Sequence, residues 1–299
     1  MLISIVICTY NREYIIEKAL ISLVNQTIGN EKFEIIVVNN GSTDNTIKIV
    51  NNFIEEHPLY KISLFSEEEN KGLSHVRNRG VELAKGKYIA YIDDDARAER
   101  DYVENIIKNV MLYPNDVAFG GKVLPEYETG QEPKWMSQYI ERVISIVNLG
   151  DRVKVLKKTY PVGCNMFFNV EILRKVGGFN TALSLRSDDK YIFYSLREKQ
   201  YRILYIPEVV VYHFIDEYRT TLDYVKKISL LNGASERIRI KTSSNAKYKL
   251  TLKTIDFVSK LIASLLLWCS FGVKGEGVKG KALFLAMWYG LRGFLTLKK

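Results

Sequence analysis

The feature that most constrains the fold of this 299-residue chain is the alternation of apolar runs and helix-period segments over its first 120 residues. Each apolar run is short and rich in β-branched and aliphatic side chains, which is typical of a buried strand. The runs are 2–8, 34–38, 62–65 and 87–92. Repeated strand–helix units predict an α/β, doubly wound, mainly parallel sheet with helices on both faces.

Polar residues follow three of these predicted strands at the point where each strand ends. Thr9–Arg12 comes after the first strand, Asn39 and Asn40 after the second, and Asp93–Asp95 after the fourth. In a parallel sheet, ligands bind beyond the carboxyl ends of the strands. Position alone therefore predicts one ligand site built from these loops.

The run Asp93-Asp94-Asp95 is the strongest candidate for a metal site. Carboxylates this close raise one another's pKa values unless a cation relieves the repulsion. Mg²⁺ and Mn²⁺ are hard ions that take oxygen ligands and bridge carboxylates to substrate phosphates. An acidic triplet alone is more often a solvated turn, but its place at a strand end favours the metal.

A basic segment, 70–80, opens the third predicted helix and supplies a candidate for binding an anion. The planar guanidinium of Arg77 can pair with a diphosphate, next to the N-terminal amides of the helix. A solvated helix face explains Lys71 and Arg79. It explains Arg77 less well, because its neighbour Val76 indicates a partly buried setting.

Taken together, these motifs resemble the family 2 glycosyltransferases of the GT-A fold over roughly residues 1–215. In the first half the matching segments are Thr9-Tyr10-Asn11-Arg12, Gly41-Ser42-Thr43-Asp44, Gly72 with Arg77-Asn78, and Asp93-x-Asp95. In the second half they are 162–168, 176–179, the pair Asp188-Asp189, and the strand 207–213 that ends at His213.

The resemblance implies an inverting sugar transfer from a UDP-, GDP- or dTDP-sugar to an acceptor hydroxyl, with Mn²⁺ or Mg²⁺. The expectation of a glycan or lipid-linked acceptor, as in surface polysaccharide assembly, rests on the basic C-terminal region alone. It implies that Asp189 is the catalytic base, with Asp188 as the alternative, and that Asp93, Asp95 and His213 bind the metal. The residues it implies for the nucleotide-sugar site are Thr9, Tyr10, Asn11, Arg12, Asn39, Gly41, Arg77, Asp93 and Asp94.

The chain departs from the family pattern at two places. Asn39 stands where the family usually has an aspartate that reads the nucleotide base. An amide offers hydrogen-bond donors as well as acceptors, so the donor preference stays open. The catalytic pair is Asp188-Asp189 rather than Glu-Asp, and nothing in the sequence separates these two adjacent carboxylates.

The last part of the chain is strongly basic. From Arg219 to Lys299 there are 16 Lys and Arg against 4 Asp and Glu, a net charge of +12, while the rest has 27 against 30, or −3. Positive charge confined to one end indicates a surface for a polyanion. An anionic membrane is favoured over nucleic acid, because long apolar runs would have no purpose in a nucleic-acid tail.

Two apolar stretches, Leu261–Val273 and 282–297, lie within this basic region. The first has 13 uncharged residues, fewer than the ~20 that span a bilayer, and the second contains Arg292. We therefore expect helices lying in the cytoplasmic interface, with Trp268, Trp288 and Tyr289 near the headgroups. A soluble helical subdomain with its apolar faces on the core is the alternative.

Other features favour a cytoplasmic protein associated peripherally with the inner face of the cell membrane. The first apolar run is too short for a signal peptide, and the three cysteines form no CxxC pair, which fits a reducing compartment. The predicted domains are a glycosyltransferase domain, 1–215, and a helical region, 216–299. The first divides into a nucleotide-binding half, 1–120, and an acceptor-side half, 121–215.

Two other functions are compatible with parts of the pattern. A sugar nucleotidyltransferase also uses carboxylates and a metal, but normally has a Gly-rich basic loop directly after the first strand, which Thr9–Arg12 lacks. A non-catalytic nucleotide- or sugar-binding scaffold would not need Asp93, Asp95 and Asp189.

Overall fold

Strands and helices alternate through the first half of the chain in the computed structural model, which describes residues 2–183, 187–243 and 245–296. Within these residues the strands are β1 (Ile3–Thr9), β2 (Phe33–Asn39), β3 (Ile62–Ser66), β4 (Tyr88–Tyr91), β5 (Ala96–Ala98), β6 (Ala118–Tyr127), β7 (Lys154–Val155), β8 (Met166–Asn169) and β9 (Ile203–Ile215). The helices are α1 (Ile16–Val24), α2 (Thr46–Glu56), α3 (Leu73–Leu83), α4 (Tyr102–Leu112), α5 (Val170–Lys175), α6 (Asp188–Glu198), α7 (Leu222–Lys241), α8 (Ala246–Val273) and α9 (Gly277–Thr296).

The sheet runs in the order β3-β2-β1-β4-β8-β6-β9-β5, and β7 pairs with β9. The pairs β3–β2, β2–β1 and β1–β4 are parallel, whereas β8 runs antiparallel to both β4 and β6. Helices flank this mixed sheet, so the predicted α/β fold class is confirmed. All seven residues of β2 are buried, as expected for a strand covered on both faces.

Two strands in this sheet have no clear signature in the sequence. β5 is only three residues long and pairs antiparallel with β9, more than a hundred residues later in the chain. β6 contains Gly120, Gly121 and Pro125, which have low strand propensity. Long-range pairing, rather than local preference, makes these segments strands.

The chain divides into two units. The first comprises the described parts of 2–125, 147–183 and 188–214, and contains most of the sheet. The second comprises 126–146, residue 187 and the described residues from 215 to 296, and contains the last three helices. In the second unit, Trp135, Met136 and Ile140 join a buried apolar cluster with residues of α7 and α9. These three side chains are therefore packed in the core of the unit, although their segment has no regular pattern in the sequence.

Glycines allow α7 and α9 to approach each other closely within the second unit. A Cβ atom on Gly293 would overlap the backbone carbonyl oxygen of Leu230, and one on Gly233 would overlap that of Gly290. The helix α8 packs against α9 through ring contacts, with Phe257 and Phe294 centroids 5.2 Å apart.

We expect Gly293→Ala to destabilise the protein by about 1–3 kcal/mol, because the new methyl group has to push two helix backbones apart. Gly272→Ala is the matched control, since its Cβ would meet nothing within 4 Å and alanine favours a helix by up to ~1 kcal/mol. Urea unfolding of both variants measures the difference. Equal unfolding midpoints for the two variants would show that the close approach of α7 and α9 is not required for stability.

Candidate active site

Pairing of β5 with β9 brings His213 to the aspartate triplet. Ala96, directly after the triplet, lies opposite His213 in this antiparallel pair. The His213 Nε2 atom is 3.2 Å from Oδ1 of Asp95, and the amide of Phe214 donates to the Asp95 carbonyl at 2.8 Å. One ligand atom from each of Asp93, Asp95 and His213 lies within 4.8 Å of the others.

This cluster has the chemistry of a divalent metal site. Two carboxylates and an imidazole are suitable ligands for a divalent metal ion. Asp95 and His213 are buried, whereas 37% of the Asp93 side chain is exposed. Burial raises the pKa of the adjacent Asp94 to about 7, and the charge of Asp95 adds to that shift. Such a concentration of carboxylates favours the binding of a cation.

Arg12 lies against the same triplet. Its Nε atom is 3.2 Å from Oδ1 of Asp94, and its Nη2 atom is 3.9 Å from Oδ2 of Asp95. Its backbone amide donates to the hydroxyl of Thr46, the first residue of α2, at 2.8 Å. Arg12 therefore links the end of β1 to the triplet, and its contact with a nucleotide sugar stays a prediction.

Hydrogen bonds join the loops after β1 and β2 at the same edge of the sheet. Asn11 adopts a positive φ of 53°, its amide donates to the Ser42 hydroxyl, and its side-chain oxygen accepts from Thr43. Gly41 has a φ of 75°, which glycine adopts without strain. The side-chain oxygen of the buried Asn39 accepts from the Ser42 amide at 3.2 Å.

The remaining predicted residues of these loops also lie at this edge, since Thr9 ends β1 and Tyr10 follows it. Thr9 is buried, whereas the Tyr10 side chain is exposed. An exposed ring at this place is available to a ligand, and its contact with a nucleotide sugar stays a prediction.

Arg77 is buried between two carboxylates, with 3% of the residue exposed. Its Nη1 atom is 2.5 Å from Oδ2 of Asp188, and its Nη2 atom is 3.4 Å from Oδ1 of Asp93. The Tyr91 hydroxyl donates to the Arg77 carbonyl, and the Phe179 ring centroid is 5.6 Å from its guanidinium carbon. Arg77 therefore connects the triplet with the first turn of α6.

The structure separates the two adjacent aspartates that the sequence leaves equivalent. Asp188 is buried and ion-paired with Arg77. Asp189 is only partly buried, and its Oδ2 atom accepts a hydrogen bond from the Gly163 amide at 3.2 Å. Asp188 is therefore buried in an internal ion pair, and the neighbouring Asp189 keeps part of its surface exposed.

Gly163 is a site residue that the sequence analysis did not single out. A Cβ atom at this position would overlap the guanidinium of Arg77, and its amide orients Asp189. Its presence in the segment 162–168, just before β8, was the available signal, but only the packing shows why glycine is needed there.

Residues 4–177 match the family model described as glycosyl transferase family 2. The chain belongs to this family. It is 28% identical over 250 residues to the glucosyl-dolichyl phosphate glucuronosyltransferase of Haloferax volcanii, covering 80% of this chain and 77% of that protein. It is 40% identical over 119 residues to glycosyltransferase GlyA of Streptococcus pneumoniae, covering 40% of this chain and 16% of GlyA.

A solved structure shares the fold. The mannosyltransferase PcManGT of Pyrobaculum calidifontis, in complex with GDP-Man and Mn²⁺, aligns with a TM-score of 0.65 and 20% sequence identity. The alignment covers 97% of this chain and 86% of PcManGT. These findings confirm the resemblance to family 2, the GT-A fold and the enzyme class, a glycosyltransferase that uses a nucleotide sugar.

Proposed function

We propose that this glycosyltransferase moves a sugar from a nucleoside-diphosphate sugar to an acceptor hydroxyl, with inversion and with the aid of a divalent metal. The observation that carries the proposal is the position of Arg77, which contacts both Asp93 and Asp188. Because Asp189 follows Asp188 at the start of α6, the predicted metal ligands and the predicted base belong to one site.

Asp93, Asp95 and His213 are the residues that would hold the metal. Bound there, Mn²⁺ or Mg²⁺ would offset the negative charge on the leaving nucleoside diphosphate. Arg12 and Arg77 hold the carboxylates in place through ion pairs, so the ligand atoms are positioned before substrate arrives. Thr9, Tyr10, Asn11, Asn39 and Gly41 stand in the loops proposed to bind the nucleotide.

Asp189 is the proposed general base. Its carboxylate accepts the proton of the attacking acceptor hydroxyl while the oxygen bonds to the anomeric carbon and the bond to the diphosphate breaks. The Gly163 amide fixes its orientation. The burial of Asp188 favours the partly exposed Asp189 as the base, because a base has to reach a substrate hydroxyl.

The relatives support particular classes of substrate. One relative is named for glucosyl-dolichyl phosphate, a lipid-linked glycan, and PcManGT binds GDP-Man with Mn²⁺. We propose a UDP-, GDP- or dTDP-sugar as donor and a glycan or lipid-linked acceptor, in surface polysaccharide or glycolipid assembly. We also propose a cytoplasmic location at the inner face of the cell membrane.

Metal removal tests the proposal. With a panel of nucleotide sugars, we expect release of nucleoside diphosphate with Mn²⁺ or Mg²⁺ that falls more than about 100-fold after chelation. Asp95→Asn should have a similar effect, because it removes a proposed ligand, whereas Asp101→Asn, an exposed carboxylate further along the chain, should not.

Each alternative function predicts a different result in this assay. Binding of a nucleotide sugar without any turnover would indicate a non-catalytic scaffold. Release of pyrophosphate from a nucleoside triphosphate and a sugar phosphate would indicate a nucleotidyltransferase. Full turnover in the presence of the chelator would contradict the metal site.

A further inference from the structure

Within the described residues, α8 is the one helix long and apolar enough to cross a membrane by length and composition. It is 28 residues long, about 42 Å at 1.5 Å per residue. Only 6% of its most apolar part is buried, although the helix packs against α9. The exposed face of α8 is therefore more apolar than is usual for a helix face in contact with water.

The exposed apolar side chains of α8 form one continuous stripe, which we call the α8 stripe. Leu266 is 70% exposed and Ile255 is 59% exposed. At 100° per residue, the members fall within an arc of about 140° that runs almost the whole helix. They are Tyr248, Leu252, Ile255, Val258, Ile262, Leu265, Leu266 and Val273.

Most charged residues of α8 lie beside the stripe rather than within it. By the same helical spacing, Lys249, Lys253 and Lys260 share one flank with Asp256, whereas Lys247, in the first turn, falls at the edge of the stripe. Lys253 and Lys260 contact Asp256 at 2.6 and 2.9 Å. This flank carries three lysines against one aspartate, so its net charge is positive beside an apolar face.

We propose that the α8 stripe is a docking surface for an anionic lipid bilayer, with the helix lying in the plane of the interface. The inference rests on the proposed membrane location and specifies its contact. An apolar face flanked by lysines matches acyl chains beside anionic headgroups. The net charge of +12 from residue 219 onward repels a second copy of the chain but attracts such a bilayer.

Charge placement explains why α8 lies on the bilayer rather than across it. Lys253, Asp256 and Lys260 interrupt the first half of the helix, and the uncharged part, Leu261–Val273, is about 20 Å long. That is shorter than the roughly 30 Å of hydrocarbon in a bilayer. A spanning helix is apolar on all sides, whereas α8 has one apolar exposed face.

The predicted aromatic anchors differ in exposure. Trp268 is partly buried, with its ring centroid 5.4 Å from that of Phe284. Trp288 is exposed on α9. Aliphatic residues of α8 supply most of the proposed apolar contact.

Vesicle flotation of the full chain tests the docking surface. We expect the protein to float with vesicles of phosphatidylcholine and phosphatidylglycerol, and more weakly with phosphatidylcholine alone. The triple variant Ile255→Asp, Ile262→Asp and Leu266→Asp should bind at least ~100-fold more weakly, because three exposed aliphatic side chains that would enter the bilayer are replaced by carboxylates. A matched triple, Leu59→Asp, Met111→Asp and Leu112→Asp, changes exposed apolar residues outside α8 and should float normally.

Donor turnover measured without vesicles separates this inference from the proposed function. Turnover in the α8 triple variant should equal that of the wild type, because α8 contributes no proposed site residue. Failure of the wild type to float, or equal loss in both triples, would overturn the docking surface whatever the turnover. A stable dimer in light scattering that the α8 triple dissociates would also overturn it in favour of a second copy.

Discussion

Replacing Asp189 with asparagine is expected to lower the kcat for sugar transfer by about 10²–10⁴-fold, because an amide cannot accept the proton of the acceptor hydroxyl. The substitution keeps the shape of the side chain and an oxygen that can accept from the Gly163 amide. Folding should therefore be retained. Steady-state kinetics with a donor and an acceptor measure the effect.

Two further variants make this result interpretable. Asp223→Asn alters an exposed carboxylate in the first turn of another helix, α7, and should leave kcat unchanged. Asp188→Asn removes the nearer of the two carboxylates that contact Arg77 and should lower both stability and activity. Wild-type kcat in Asp189→Asn, together with a folded but inactive Asp188→Asn, would assign the base to Asp188.

Arg77→Met is expected to destabilise the protein by about 3–5 kcal/mol, because it leaves the carboxylate of Asp188 buried without its partner. Adding Asp188→Asn should recover part of this loss, since the uncompensated charge is then gone. Both the single and the double variant should be inactive, because Arg77 positions Asp93 and Asp188. Urea unfolding gives the free energies, and donor turnover gives the activity.

Arg79→Met is the matched control for this series. Arg79 lies on the same helix and pairs with Glu82 at the surface, 2.7 Å away, where an ion pair contributes about 0–1 kcal/mol. If the effects of Arg77→Met and Asp188→Asn on the free energy of unfolding are strictly additive, the two side chains do not interact. This result would contradict a stabilising ion pair between them.

The ion pairs of two arginines also explain how a site spread over the chain is held together. Arg12 reaches the triplet from the loop after β1, and Arg77 reaches it from α3. Each guanidinium contacts two carboxylates. Breaking either pair therefore changes the position of the proposed metal ligands as well as the stability of the fold.

Local sequence patterns predicted the first half of the fold well. β1 and β2 show as apolar runs, and the buried residues of α1 recur with helical spacing, because burial of one face leaves a period in the sequence. β5 and β6 were not predicted, since their strand conformation depends on partners distant in the chain. α8 begins earlier than its apolar stretch, because its charged residues occupy one flank of the helix.

By itself, the sequence determined the family, the alternation of strands and helices, and the set of chemical groups available to the site. Its motifs are contiguous and depend on local spacing. Only the tertiary structure decided how these groups are distributed: Arg77 pairs with Asp188, leaving Asp189 partly open, and β9 brings His213 to Asp95. Adjacent aspartates have the same chemistry in a sequence, and only the direction of each side chain in the folded protein makes them different.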